Sequence, residues 1–272
     1  MRRARPTALL LSLCVAAPGA LAQDAAPEEA DDDGALAPVV VRGSRAGADR
    51  WQSPASMDVV NADDLKAGRP QISLSESLAR VPGLVVRDRQ NFAQDAQLSV
   101  RGFGSRASFG VRGLKLYVDG IPASAPDGQG QASHFPLSAA ERIEVVRGPF
   151  AALYGASSGG VLMLTTEDGR WPGEWRAGFT AGSDGLWRLS AQALGRTAPP
   201  DQLGWSYALS ASGFSTDGAR PQSAAAQGTA NLKLTRQSGA DRLVLLFNHH
   251  ALRADDPLGM SRAEFDTNPR QT

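Results

Sequence analysis

The sequence predicts a mixed α/β domain followed by antiparallel β-strands of the kind that line a transmembrane barrel. Three observations predict it. Residues 51–168 alternate short β-branched runs with helix caps and glycine-rich turns, residues 169–272 alternate apolar and polar side chains at period two, and residues 1–22 read as an export signal. The 272-residue chain is 42% apolar and 21% charged, which excludes a disordered or collagen-like polymer. Its 28 basic and 28 acidic residues cancel, so no global field holds a nucleic-acid backbone and nucleic acid is not an expected partner. Cys14 is the only cysteine, so neither a disulfide framework nor a cysteine metal cluster can be built.

Arg2, Arg3 and Arg5 precede an apolar stretch from Ala8 to Ala17, then Pro18-Gly19 and the small-x-small tripeptide Ala20-Leu21-Ala22, a secretory signal cut before Gln23. Residues 23–50 read as a flexible tether, because Asp24, Glu28, Glu29, Asp31, Asp32 and Asp33 repel one another and offer no core. Within it, residues 36–43 (LAPVVVRG) form an isolated β-branched run. Such a run suits either an edge strand of the next domain or a peptide that adds a strand to a partner's sheet through its backbone groups. No later stretch offers the roughly 18 consecutive apolar residues of a spanning helix, so membrane insertion would have to be as a barrel.

In residues 51–168, Asn61 before Ala-Asp-Asp-Leu and Gly68 after it predict one short capped helix. Ser73-Leu-Ser-Glu76 reads as a capping box opening a second, ended by Pro82-Gly83, and Ser138-Ala-Ala-Glu141 repeats the box for a single turn. Pro149 suits the start of a further short helix ended by Gly155. Strands are expected at Met57–Val60, Leu84–Arg87, Ala96–Arg101, Leu114–Val118, Arg142–Arg147 and Gly160–Thr166. Two long connections, Gly102–Gly113 and Gly120–Pro136, are rich in glycine and polar groups yet carry Phe103, Phe109 and Phe135, as functional loops do.

Residues 169–272 change texture. Trp175, Ala177, Phe179 and Ala181 alternate with polar partners, as do Trp187, Leu189, Ala191 and Ala193, then Trp205, Tyr207, Leu209 and Ala211, then Gly228, Ala230, Leu232 and Leu234, and finally Leu243, Leu245 and Phe247. Segments of about ten residues with end-placed aromatics are the signature of transmembrane β-strands, though a soluble β-sandwich shows the same period. The export signal and the helix-free run shift the balance toward a barrel.

Catalytic and metal chemistry find no support. Gly102-Phe-Gly104-Ser-Arg-Ala107 matches a dinucleotide-binding pattern, but Gly110 and Gly113 follow at once, so no helix can present its N-terminus to a pyrophosphate. His249-His250 point to opposite faces of a strand and cannot chelate together. No nucleophile stands beside a base, so neither an enzyme nor a cofactor or metal site is expected.

The segments SLSESLARVPGLVVRD, LSVRGFG, LYVDGIP and RIEVVRGPFAALYGASSGGVLMLTT, with the upstream PVVVRGS, resemble the plug and TonB box of TonB-dependent outer-membrane receptors. The string FGVRGLKLYVDGIPASAPDGQGQ is similar to a sub-branch whose members take up ferric chelates or a redox quinone cofactor. The resemblance implies a mixed α/β plug domain followed by antiparallel β-strands of an incomplete transmembrane β-barrel. The implied division is a signal peptide (1–22), a tether with the TonB box (36–43), a plug (51–168) and about five barrel strands (169–272). It implies active uptake of a scarce ligand across the outer membrane of a Gram-negative cell, with plug and N-terminus facing the periplasm. The implied partners are the TonB energy transducer with its inner-membrane complex, outer-membrane lipid and a small-molecule ligand.

Site expectations follow. Leu36, Pro38, Val39, Val40, Val41 and Arg42 would pair with TonB; Phe103, Arg106, Phe109, Asp127, Gln129, Gln131 and His134 would meet ligand on the plug loops; and Arg101, Glu144 and Arg147 would face the barrel wall as a charged network. Residues after Trp171 suffice for only five or six tilted strands of roughly ten residues, fewer than a family barrel needs. The chain therefore reads as the front part of a receptor. A secreted soluble β-rich binding module and a plug-bearing fragment that occupies TonB without transport are the alternatives.

Overall fold

The computed structural model describes residues 56–88, 91–107, 110–148, 154, 159–199, 202–239 and 241–271. The signal, the tether with its 36–43 peptide, Phe109 and the expected helix at Pro149 lie outside the described residues, Tyr154 excepted.

Among the described residues, the first half is a mixed sheet with two short helices. Strands β1 (Ser56–Asn61), β4 (Leu114–Val118), β5 (Ile121–Pro122), β6 (Ala140–Arg147) and β7 (Gly160–Thr166) form one sheet in the order β1-β6-β7-β4-β5. Only β4 and β7 run parallel. The strands β2 (Leu84–Arg87) and β3 (Gln97–Val100) make a separate two-stranded hairpin. Helix α1 (Ala62–Lys66) follows β1 directly, and α2 (Ser75–Leu78) precedes β2. Their inward residues Val60, Leu65, Leu78, Leu84, Leu98, Leu116, Ile143 and Leu164 form one apolar core. Each fully buried leucine or isoleucine there contributes about 1.5–3 kcal/mol.

Local signals behaved differently from one another. Asn61 stands at the N-cap of α1 with extended backbone but makes no side-chain cap bond. The box at Ser73 closes from one side: Glu76 reaches back to the N–H groups of Gln71, Ile72 and Ser73, while the Ser73 hydroxyl serves Ser75. The box expected at Ser138 does not form. Leu137–Ala139 is a 3-10 turn and Glu141 already lies in β6, where the register with β7 shifts between Ala140 and Arg142. One strand was not foreseen. Asp119 and Gly120 both take positive φ, the tight two-residue reversal that folds β5 back on β4.

The described glycines after Gly102 take turn conformations. Gly104 has φ +87° and Gly110 φ +61°; a Cβ on the first would stand 2.7 Å from the Leu98 and Arg112 carbonyls, and one on the second 2.6 Å from the Gly130 carbonyl. Close approach at Gly110 lets Val111 and Gly130 exchange both backbone hydrogen bonds, which clasps the two long connections together.

The second half is a meander of β8 (Glu174–Ala181), β9 (Trp187–Arg196), β10 (Trp205–Thr216), β11 (Ala225–Ser238) and β12 (Asp241–Ala254), antiparallel throughout and open at β8 and β12. A short helix α3 (Arg262–Thr267) follows, opened by a complete capping box between Ser261 and Glu264. Its polarity decides the environment of this sheet. One cross-strand row reads Trp175–Ala193–Leu209–Leu232–Phe247 and the adjacent row reads Arg176–Gln192–Ser210–Asn231–Asn248. Trp175 is 73% exposed and Phe247 59%, whereas Ser210 is 2% and Asn231 3%. Polar side chains face the first half and apolar ones face outward, the reverse of a water-soluble sandwich.

Candidate functional site

Three clefts share His134: two open where the plug-side loops meet the polar face of the wall sheet, and one lies within the loops themselves. The largest, about 370 Å³, lies between the Phe92–Asp95 segment, Gln131, Ser133 and His134 on one side and His250, Leu252 and Asp256 on the other. A second, about 310 Å³, is bounded by Asp127, Gln129, Gln131 and His134. The third, about 220 Å³, runs between Ile121-Pro122 and the wall residues Asn231, Leu246 and Asn248, again with His134 on its edge. His134 therefore touches all three.

Burial, reinforced by His250 and opposed by Asp95, holds the His134 imidazole below the usual histidine range. It is neutral at pH 7 and offers one donor and one acceptor. On the wall, His250 Nδ1 is 3.3 Å from Gln227 Nε2. His249 occupies the opposite face of β12, exposed, as adjacent strand residues must. A cation also reaches this region: Arg112 donates to Gln129 at 2.8 Å. With Phe92 as an apolar surface, the clefts offer amide, imidazole and carboxylate groups to a polar small molecule.

The expected loop residues thus divide. Asp127, Gln129, Gln131 and His134 converge on the clefts. Phe103 instead packs over Gly159, and Arg106 is exposed on the 102–107 turn; neither lines these clefts. The residues Phe92, Gln94, Asp95, Arg112, His250 and Asp256 were not foreseen. An aromatic among polar residues between two strands was the available signal for 91–95.

The expected charged contact with the wall exists, but on other side chains. Arg147 donates to Asp58 of β1 and to the Pro82 carbonyl, and Glu144 accepts from Arg142 at 2.7 Å, all within the first half of the chain. Glu144 is 1% exposed. Arg101 sits exposed in a turn with φ +49°. A polar residue in a strand reveals its alternation but not which layer will cover it.

The wall is met instead by the Thr166-Glu167-Asp168 exit from β7. Glu167 pairs with Lys66 of α1, with Arg176 at 2.8 Å and with Arg170 at 3.0 Å, and accepts from Gln192 at 3.3 Å. Burial pushes the Glu167 carboxyl up, but Lys66 and Arg176 outweigh it and hold it below the usual carboxylate range. Burial likewise draws Lys66 below the usual lysine range, against the pull of Glu167. One turn of sheet away, Lys233 of β11 reaches Asp168 at 2.9 Å, Asp119 at 3.3 Å and the Thr166 carbonyl at 3.0 Å. Asp119 also accepts from the Thr166 N–H and hydroxyl.

Comparisons with known proteins agree with this architecture. Residues 49–161 match the family model for the TonB-dependent receptor plug domain. Vitamin B12 transporter BtuB of Photobacterium profundum is 36% identical over 157 residues, covering 54% of this chain and 24% of the transporter. The ferrienterobactin receptor of Escherichia coli K12 is 29% identical over 147 residues, covering 48% and 19%. The chain spans about a fifth to a quarter of the length of these curated relatives. Among solved structures, unliganded ferric citrate transporter FecA superposes with a TM-score of 0.63 at 24% identity over 82% of this chain and 35% of its own. The ferric yersiniabactin uptake receptor FyuA from Yersinia pestis gives 0.55 at 22%, over 74% and 32%, and both show the shared fold. The plug model is matched over most of the mixed sheet, and that sheet is seated on polar-in, apolar-out strands, so residues 49–161 are a TonB-dependent receptor plug domain and the chain as a whole is similar to the TonB-dependent receptors.

Proposed function

We propose that this chain supplies the ligand-facing plug and first wall strands of an outer-membrane receptor that imports a scarce small molecule on energy delivered through TonB. The observation that carries the reading is the inverted polarity of the wall sheet, polar toward the plug and apolar outward, which suits lipid on one side and a wet lumen on the other. The two open edges, β8 and β12, require further strands to close a barrel in lipid, so the chain acts as the N-terminal part of a longer receptor. Plug and N-terminus face the periplasm, where Val39 to Val41 add a strand to TonB and the acidic tether supplies slack.

The ligand sits in the clefts around His134. Relatives named for vitamin B12 and ferrienterobactin support a scarce small molecule, and the resemblance carried by residues 109–131 favours a ferric chelate or a quinone-type cofactor. An antibody against the plug, used on native outer membranes, tests the reading. A band well above the chain's own 28.5 kDa that shifts on boiling is expected; a soluble band at that mass would refute it in favour of a secreted module or plug fragment. In the receptor, Val40→Pro removes a backbone donor and should abolish uptake while leaving ligand binding intact.

A further inference from the structure

Arg188 is a buried cation without a counter-charge. It stands on the inward face of β9, across from Phe214 of β10, and is 4% exposed. Among the described residues it forms no ion pair, and its one hydrogen bond goes to Gln71 Oε1 at 3.5 Å. Glu76 is near enough for its charge to be felt. Its carboxylate oxygens, however, already accept from the backbone N–H groups of Gln71, Ile72 and Ser73 at 2.6, 2.9 and 2.8 Å. A guanidinium does not lose its proton in a protein, so the neutral form that relieves other buried bases is closed to it. Left alone, such a charge is costly.

Arg188 lines a small cavity of about 20 Å³ between plug and wall, with room for one particle of water size. No acidic side chain is among the described residues that line it. Ser212 and Thr229 line it with hydroxyls 2.8 Å apart; one donates to the other, which leaves a second hydroxyl proton for a further acceptor. Ile72, Phe135, Leu137 and Phe214 close the rest with apolar surface, which strengthens any attraction to the cation.

We propose that this cavity binds one small monovalent anion of chloride size, drawn from the medium, which neutralises Arg188. A water would fill the space and leave the charge unbalanced, and a phosphate or a chelate exceeds the space. The lining comes from both halves of the chain, so the bound anion holds plug to wall. The cavity shares no lining residue with the three clefts around His134, and the inference stands whatever those clefts import.

The test is thermal unfolding of the protein, purified in detergent from native membranes, in sodium chloride against sodium gluconate at fixed ionic strength. Gluconate is too large for the cavity. The melting temperature should rise with chloride and saturate, the unfolded population falling about tenfold when chloride stands at ten times its dissociation constant. Arg188→Met removes the cation and should abolish the response. Gln71→Glu puts a carboxylate where the amide oxygen now accepts, so the counter-charge comes from the protein itself. The response should vanish there too, with stability in gluconate raised to that of the parent in chloride. Should Arg188→Met fail to fold, the comparison with Gln71→Glu decides alone. A parent that melts identically in the two salts would leave only water in the cavity, and a response that survives in Gln71→Glu would place the anion elsewhere; either overturns the proposal.

Discussion

Replacing Lys233 with methionine should release the exit of the plug from the wall. The lysine is 4% exposed, and its ammonium serves Asp168, Asp119 and the Thr166 carbonyl together. Methionine keeps the volume and removes the charge, so the loss is electrostatic rather than a cavity. Breaking a buried ion pair by removing one partner costs about 3–5 kcal/mol, because the remaining charge stays uncompensated. Asp168 is half-exposed and adds no more than about 1 kcal/mol. Asp119 keeps its two bonds from Thr166, which places the total near the lower end, about 3 kcal/mol. At 1.4 kcal/mol per decade this is roughly a hundredfold. The Thr166 amide, which donates to Asp119, should exchange with deuterium faster by that factor. Adding Asp119→Asn removes the stranded charge and should recover most of the loss. A Thr166 rate within about threefold of the parent, or a double variant no better than the single one, would refute the assignment of Lys233 as a plug–wall anchor.

Acid should loosen the same seam through Glu167. Its folded pKa lies below the unfolded value of about 4.3, so the stabilisation is present above that value and lost as pH falls through the folded one. Pulse proteolysis should find plug protection flat above about pH 5 and falling below about pH 4, with Glu167→Gln removing that dependence; loss already near pH 6 would contradict it. On the outward face, Leu245→Arg should cost up to about 4 kcal/mol and reduce the heat-modifiable form in membranes, while Asn248→Arg on the polar face should not. Gly110→Ala combines positive φ with a contact to the Gly130 carbonyl and should cost about 2 kcal/mol or more. Gly128→Ala meets nothing within 4 Å. It should therefore cost about 1 kcal/mol from backbone strain alone, an ordering that melting temperatures would check.

Most strands of both halves were legible because each declares itself locally. Leu114–Val118 and Gly160–Thr166 are β-branched or apolar runs bounded by glycine or acidic turns, and the windows from Trp175 to Phe247 alternate cleanly. Strand β5 escaped because two residues carry no period; only the Asp119-Gly120 turn pointed to it. Helix α3 escaped although Ser261-Arg-Ala-Glu264 is the same capping pattern read elsewhere, and at Ser138 that pattern misled because β6 claimed Glu141. The site was legible only on its loop side. Glycine and polar density marked 127–134, whereas Asp256 and His250 join the cleft across more than a hundred residues of chain, a distance no local pattern spans. Arg147 and Glu144 were expected to face the wall, but their partners Asp58 and Arg142 are set by register with β1 and within β6, which no local pattern reveals.

The three faces of this chain differ in chemistry because each meets a different medium. The plug interior is closed by leucine, valine and isoleucine, which makes it cohere as one body. The outward face of the wall is apolar without being packed, as a lipid contact requires. Between them lies a seam held by Lys66, Glu167, Arg176, Lys233 and Asp119. Ion pairs of this kind lose most of their attraction to desolvation, yet they are costly to leave half-broken. They therefore fix orientation without adding the adhesion of an apolar interface, and water entering the seam can satisfy both partners once they part. A seam built from leucine would hold more tightly and separate only by exposing hydrocarbon to a wet lumen. For a plug seated at rest and displaced during the proposed transport cycle, charged residues at the Thr166–Asp168 exit meet both demands, and Glu167, whose partners Lys66, Arg170, Arg176 and Gln192 line none of the three clefts, is the position at which that balance can be altered without touching them.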